Sequence, residues 1–207
     1  MNPSAERQPG AALPLDPDPV RQFSAWLEEA RATGLVEPNA MTLATASRDG
    51  VPSARMVLLK GVDAQGFTFF TNYQSRKGRE LDENPAAALV FWWETLQRQV
   101  NVTGTVRRVP DTESDAYFAT RPFGSRIGAL ASRQSSVLPD RAELDRRVAE
   151  LIQRHRDGIV PRPAWWGGYR LAPGTIEFWQ GQADRLHDRQ LYTRQADGTW
   201  RVERLSP

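Results

Sequence analysis

Five β-rich runs between residues 40 and 109 leave this chain few folds to choose from. AMTLATA, PSARMVLLK and FTFFTN follow one another through turns at Arg48-Asp49-Gly50 and Asp63-Ala64-Gln65-Gly66, which makes a meander. A short helix is predicted from Ser75 to Asn84, and after Pro85 the runs AALVFWW and RQVNVTGTVRRV resume the β pattern. Five strands connected in this way favour a closed barrel. Ahead of them, Asp18 and Pro19 read as the N-cap and first residue of a helix, with Val20, Phe23, Trp26, Leu27 and Ala30 on one side until Gly34. Helices are predicted at Asp111–Thr120 and Asp140–His155, the latter with Leu144, Val148, Leu151 and Ile152 on one face. Strands return in GYRLAP, TIEFWQG and RQLYTRQADGTWRVERL. The expected class is mainly β with α (α+β). One domain is expected over residues 18–207, behind a flexible or draped arm over residues 1–17 that is rich in proline and alanine.

Composition narrows the chemistry. The chain has no cysteine and only two histidines, which removes thiolate catalysis, disulfides and cysteine- or histidine-rich metal sites. Redox chemistry must then come from an organic cofactor. Net charge is +2, with acidic residues nearly as numerous as basic ones, so local anion sites are expected rather than a nucleic-acid footprint. No run approaches the ~20 apolar residues of a membrane span. The N-terminal residues show no basic start followed by an apolar core, so a secretory signal is not expected and cytoplasmic residence is. The chain keeps just two lysines, Lys60 and Lys77, and uses arginine everywhere else. A compact ammonium at those two places is one reading, and chance the other.

Five clusters can carry chemistry. In RMVLLK, strand alternation sends Arg55, Val57 and Leu59 to one face and Met56, Leu58 and Lys60 to the other, which suits two anions, one per face, or two surface charges. Ser75 can cap a helix whose first turn holds Arg76 and Lys77. Cations there oppose the helix dipole unless an anion lies over the free N–H groups, so the turn is a phosphate nest or a solvated basic turn. Gln134, Ser135 and Ser136 form a polar cluster that alone reads as a loop. Tyr117, Arg121 and Ser125 can converge on one anion around Pro122, or Arg121 simply ends a helix. Finally, Arg185, His187 and Arg189 share a face if they lie on a strand, with Trp179 placed to stack on a planar ring; a mixed-charge surface hairpin is the alternative. His155 reads as a solvated helix end.

Taken together, RMVLLK, FFTNYQSRKGRE, NPAAALVFWW, RQV, RPFGSRIGALASRQSS, WWGGYR, IEFWQG and RLHDR resemble the succession of segments in pyridoxine 5′-phosphate oxidases, from about residue 18 to the final RLSP. The resemblance implies a homodimer of split β-barrels that binds FMN in clefts between the subunits. It implies flavin contacts from Arg55, Met56, Val57, Leu58, Leu59, Lys60, Phe70, Thr71, Arg76, Lys77, Gln99, Gln134, Ser135, Trp179 and Arg189. It further implies that Lys60, Tyr117, Arg121 and Ser125 hold the substrate phosphate, while Arg185, Leu186 and His187 lie against the pyridine ring, with Arg185 and His187 as the catalytic pair. The implied reaction oxidises pyridoxine or pyridoxamine 5′-phosphate to pyridoxal 5′-phosphate, with O2 as acceptor and H2O2 as product. Such enzymes commonly carry an Arg-x-x-Tyr segment before the first helix, whereas AERQPGAALPLDPDP here has no tyrosine. A related flavin oxidase of phenazine biosynthesis is therefore the nearest alternative. A split barrel that binds FMN or pyridoxal phosphate without turnover is another.

Overall fold

The computed structural model describes residues 15–207. The arm expected over residues 1–17 therefore lies outside the described residues up to position 14. Beyond it the chain is tied down: Leu15 packs on the core, and the Tyr192 hydroxyl donates to the Asp16 carbonyl at 2.9 Å. Helix α1 (Pro19–Ala32) starts where expected, with the Asp18 carboxylate accepting from the Val20 amide at 2.9 Å. Its buried face, Phe23, Trp26, Leu27 and Ala30, enters the main core. There Phe23 meets Phe67 and Phe91 edge-on at 4.9 and 4.8 Å, the geometry that ring quadrupoles favour.

Among the described residues nine strands surround that core: β1 (Ala40–Ala46), β2 (Pro52–Leu58), β3 (Gly61–Asp63), β4 (Gly66–Asn72), β5 (Ala86–Trp93), β6 (Arg98–Arg108), β7 (Trp166–Gln180), β8 (Asp188–Arg194) and β9 (Trp200–Arg204). The antiparallel order is β2-β1-β5-β6-β7-β4-β3, with β8 on β7 and β9 on β8. The first and last strands of that order are consecutive in the chain. Leu59 donates to Asn39 on one side and Lys60 donates to Thr68 on the other, at 2.9 and 2.8 Å, so the bend at 59–60 brings the two ends of the sheet together. GYRLAP and TIEFWQG, expected as separate strands, are one 15-residue strand, and β7 is what splits the barrel. It pairs with β6 along its length, while its other edge takes β4 over Trp166–Leu171 and β8 over Thr175–Gln180. Pro173, which has no N–H to donate, sits at the changeover, where the β6 register also shifts between Thr103 and Gly104. The fold is an α+β split barrel.

At that shift the strands approach so closely that a Cβ on Gly104 would lie 2.1 Å from the Ala172 carbonyl oxygen. Backbone cannot swing aside as a side chain can. Gly104→Ala is therefore expected to cost roughly 1–3 kcal/mol, read as a fall of about 2–4 °C in the thermal midpoint per kcal/mol.

Helix α2 (Arg76–Glu83) lies between β4 and β5. Helices α3 (Asp111–Thr120), α4 (Phe123–Ala131) and α5 (Arg141–Arg154) lie between β6 and β7. Phe118, Ile127, Val160 and Trp166 form a second, smaller core there. Helix α4 was not foreseen in the sequence, because Gly124 and Gly128 dilute its pattern and Pro122 in the N-cap position offers no side-chain cap. Helix α5 buries no residue fully; Val148 and Leu151 rest against the small core while Ile152 stays exposed. His155 caps its C-terminus, with Nδ1 2.6 Å from the Ile159 carbonyl.

Candidate functional site

A cavity of about 700 Å³ opens where β2, β4, α2, α3 and α4 converge. Eleven of the residues named from the sequence line it: Met56, Val57, Leu58, Lys60, Phe70, Thr71, Lys77, Tyr117, Arg121, Ser125 and Gln134. Asn72, Ser132 and Trp166, to which no role was given, line it too. The alternation read along RMVLLK holds only at its start, where Arg55 turns inward and Met56 is exposed; Val57 and Leu58 are both half-buried and line the cavity together, and buried Leu59 and exposed Lys60 lie in the bend after β2.

One end of the cavity is built on the N-terminus of α2. The Ser75 side chain accepts from the Gly78 amide and caps the helix, which leaves Lys77 in the first turn. Lys77 is 8% exposed, and its Nζ donates to Thr71 Oγ1, Ser75 Oγ and Gln134 Oε1 at 3.2, 3.3 and 3.1 Å. Burial pulls this ammonium down to about 8, and the nearby Arg55 guanidinium adds to the effect. The Gln134-Ser135 loop is more than a loop. The Arg76 amide donates to Ser135 Oγ at 3.1 Å, and Ser135 holds a left-handed φ of 70°, a strained backbone that clusters at functional sites.

Behind this end lies a polar hub that the sequence reading missed. Glu80 is buried and accepts from Thr45, Ser53, Arg55 and Arg76 at 2.5, 2.6, 3.2 and 2.8 Å. Although burial raises it, those four donors hold its carboxyl well below the usual range, at about 2. Arg55 and Arg76 are thus drawn back onto a carboxylate and do not line the cavity. The i,i+4 spacing of Arg76 and Glu80 on a helix was the signal available for this pairing.

The other end is set by Pro122. A proline disfavours helical backbone in its predecessor, so Arg121 adopts φ −72°, ψ 144°, and α3 stops one residue before it. The Arg121 guanidinium lies 4.5 Å over the Trp166 ring, and its buried Nη1 has no hydrogen-bond partner among the described residues. Burial lowers its pKa. Tyr117 stacks on Phe70 with centroids 4.0 Å apart. Lys60 reaches the same cavity from the bend at the end of β2.

The remaining named residues do not line this cavity. Gln99, Trp179 and Arg189 are side by side in register across β6, β7 and β8, and Arg189 is paired with Glu177 at 2.7 Å. The shared strand face expected for Arg185, His187 and Arg189 is corrected by the structure. β8 begins only at Asp188, and Arg185 ends a single helical turn with φ values of 54° at Asp184 and 62° at Arg185. His187 instead leans on Trp179, 4.5 Å between ring centroids, and its Nδ1 accepts from the Gln182 amide at 3.2 Å. Leu186 and Arg185 are exposed.

The family model described as Pyridoxamine 5′-phosphate oxidase matches residues 27–155, and that of the Pyridoxine 5′-phosphate oxidase C-terminal dimerisation region matches residues 166–207. A pyridoxine/pyridoxamine 5′-phosphate oxidase of Rubrobacter xylanophilus is 60% identical, with 93% of this chain and 88% of that protein covered. One from Nostoc punctiforme is 57% identical, with 94% and 91% covered. Among solved structures, PhzG from Burkholderia lata 383 in complex with tetrahydrophenazine-1-carboxylic acid superposes with a TM-score of 0.88 at 34% identity, over 93% of this chain and 94% of that one. With matches of this extent along nearly the whole sequence, the chain belongs to the pyridoxamine 5′-phosphate oxidase family.

Proposed function

We propose that the protein is an FMN-dependent oxidase that converts pyridoxine or pyridoxamine 5′-phosphate to pyridoxal 5′-phosphate, with O2 as acceptor and H2O2 as product and, for the amine, with water taken up and ammonia released, acting as a cytoplasmic homodimer. The observation that carries this reading is that one cavity has cationic ends on two different elements, the α2 N-terminus with Lys77 and the α3–α4 junction with Arg121, and that Lys60 lines the same cavity. Two phosphorylated ligands need two such ends, and charge-assisted contacts contribute roughly 1.5–3 kcal/mol each. The buried Lys77 cluster at a helix N-terminus fits the phosphate of FMN. The unpartnered Arg121 Nη1 fits the phosphate of the substrate.

When bound, FMN supplies the acceptor for a hydride from the substrate's C4′ carbon. The chain's own work is positioning. Tyr117 and Ser125 hold the substrate phosphate alongside Arg121 and Lys60, and Phe70 and Thr71 bound the flavin from β4. The cluster of Gln99, Trp179, Arg189, Arg185 and His187 belongs to the segment that matches a dimerisation region or pairs with it, and it completes the site across a dimer interface. With Nδ1 accepting from Gln182, the His187 Nε2 is the nitrogen left to face a ligand.

The test is the purified protein's absorption spectrum. A yellow flavin band that bleaches anaerobically on addition of pyridoxine 5′-phosphate supports the reading; a colourless protein, or a band the substrate leaves unchanged, sinks it. Arg185→Ala and His187→Ala should keep the colour and slow bleaching, and flavin loss in both would overturn their assignment. The likeness to PhzG favours a second reading, oxidation of a phenazine precursor, but relatives of 57–60% identity carry the other name. Bleaching by a phenazine precursor and not by the vitamin phosphate would select it.

A further inference from the structure

The paired arginines Arg55, Arg76 and Arg189 each have a carboxylate within ion-pair distance, whereas Arg121 has none among the described residues. Its charge is met instead by aromatic faces, Trp166 at 4.5 Å and Phe118 at 5.5 Å from the guanidinium carbon. The distinction matters for an anion site. A carboxylate occupies the N–H edge of a guanidinium and competes with phosphate, while an aromatic face holds the plane and leaves the edge free. The free edge is visible here as the buried Nη1 without a partner.

Trp166 is itself fixed. It is 6% exposed, its amide donates to the Pro163 carbonyl at 3.0 Å, and its carbonyl accepts from Arg162 at 2.8 Å. Its ring lies parallel to Phe70 and Tyr117, within 13° and 7°. Resting on the reading of Arg121 as a substrate-phosphate ligand, we propose that Trp166 is a positioning residue: its indole face holds the Arg121 guanidinium in place and thereby sets the preference for phosphorylated over unphosphorylated pyridines.

The experiment uses the FMN-loaded enzyme with Trp166→Leu, Trp166→Phe and Arg121→Ala. Two quantities are read: the ratio of kcat/KM for pyridoxine 5′-phosphate over unphosphorylated pyridoxine, and the affinity for inorganic phosphate by titration calorimetry. Trp166→Leu should lower both by about 5- to 30-fold, the range of a desolvated cation–π contact, and Trp166→Phe should lie between it and the wild type. A merely structural role would depress both substrates together and leave the ratio unchanged, which would overturn the proposal. If Trp166→Leu does not fold, an unshifted phosphate affinity in Trp166→Phe overturns it as well. Loss of phosphate affinity in Arg121→Ala but not in either tryptophan variant defeats the role of Trp166 alone. Unchanged affinity in Arg121→Ala defeats the reading of the site beneath it.

Discussion

Glu80→Ala is expected to lower the unfolding free energy by about 3 kcal/mol at neutral pH, at the lower end of the range for breaking a buried charge pair. The side chain is 8% exposed and bridges β1, β2 and α2 through four donors. Its removal strands Arg55, whose side chain is 20% exposed, whereas Arg76 at 58% can return to water, which keeps the cost at the lower end. The pH dependence follows from the sign of the shift. The folded carboxyl titrates at about 2 against an ordinary 4.5, so its contribution is full above about 4.5 and disappears as pH falls towards 2. Urea denaturation of wild type and variant should therefore give curves well apart at pH 7 and converging in acid. A gap that stays constant down to pH 3 would show that the charge contributes nothing. Glu80→Gln, which keeps the shape and an acceptor, should lose less and show no acid limb.

How much of this was legible before the fold was known differs by element. Helix α1 was readable because Asp18, Pro19 and a five-residue apolar face all agree locally, and the β1–β2 hairpin because its turn carries Asp and Gly. The expected meander does not extend to its third run: β4 pairs with β3 and β7, not with β2, because the bend at 59–60 sends the chain to the other end of the sheet. The cavity's two cationic ends were readable only as a set, since Lys77, Gln134 and Thr71 meet across a separation of about sixty residues that no local pattern encodes. Glu80 escaped notice because a carboxylate beside arginines on a helix looks like an exposed pair; only burial makes it a hub. Trp166 was hidden within WWGGYR, where nothing local says that its ring underlies Arg121. The mistaken common face of Arg185, His187 and Arg189 came from extending strand alternation through residues that turn with positive φ.

Lys77→Met should separate stability from function, with opposite signs. The ammonium is nearly buried and its charge disfavoured, so the folded group releases its proton at about 8 while the unfolded one holds it to about 10.5. Between those values the unfolded chain binds more protons, so stability through this group rises with pH, and the full penalty is present below about 8. Replacing it by an apolar side chain of similar length removes that penalty, and the FMN-free protein should gain roughly 1–2 kcal/mol at pH 7 after the three lost hydrogen bonds are counted. The same change should weaken FMN binding by about 10- to 150-fold, because a charge-assisted contact to phosphate is lost. A phosphate beside Lys77 favours its charged form, so binding to the wild type draws in a proton once the pH exceeds about 8, and affinity should then fall by up to about tenfold per pH unit. In Lys77→Met that dependence should be absent. Flavin fluorescence titrations from pH 7 to 10, run beside thermal melts of the FMN-free proteins, read all three effects. A variant that loses stability and keeps its flavin affinity would mean that Lys77 braces the α2 turn and takes no part in holding phosphate.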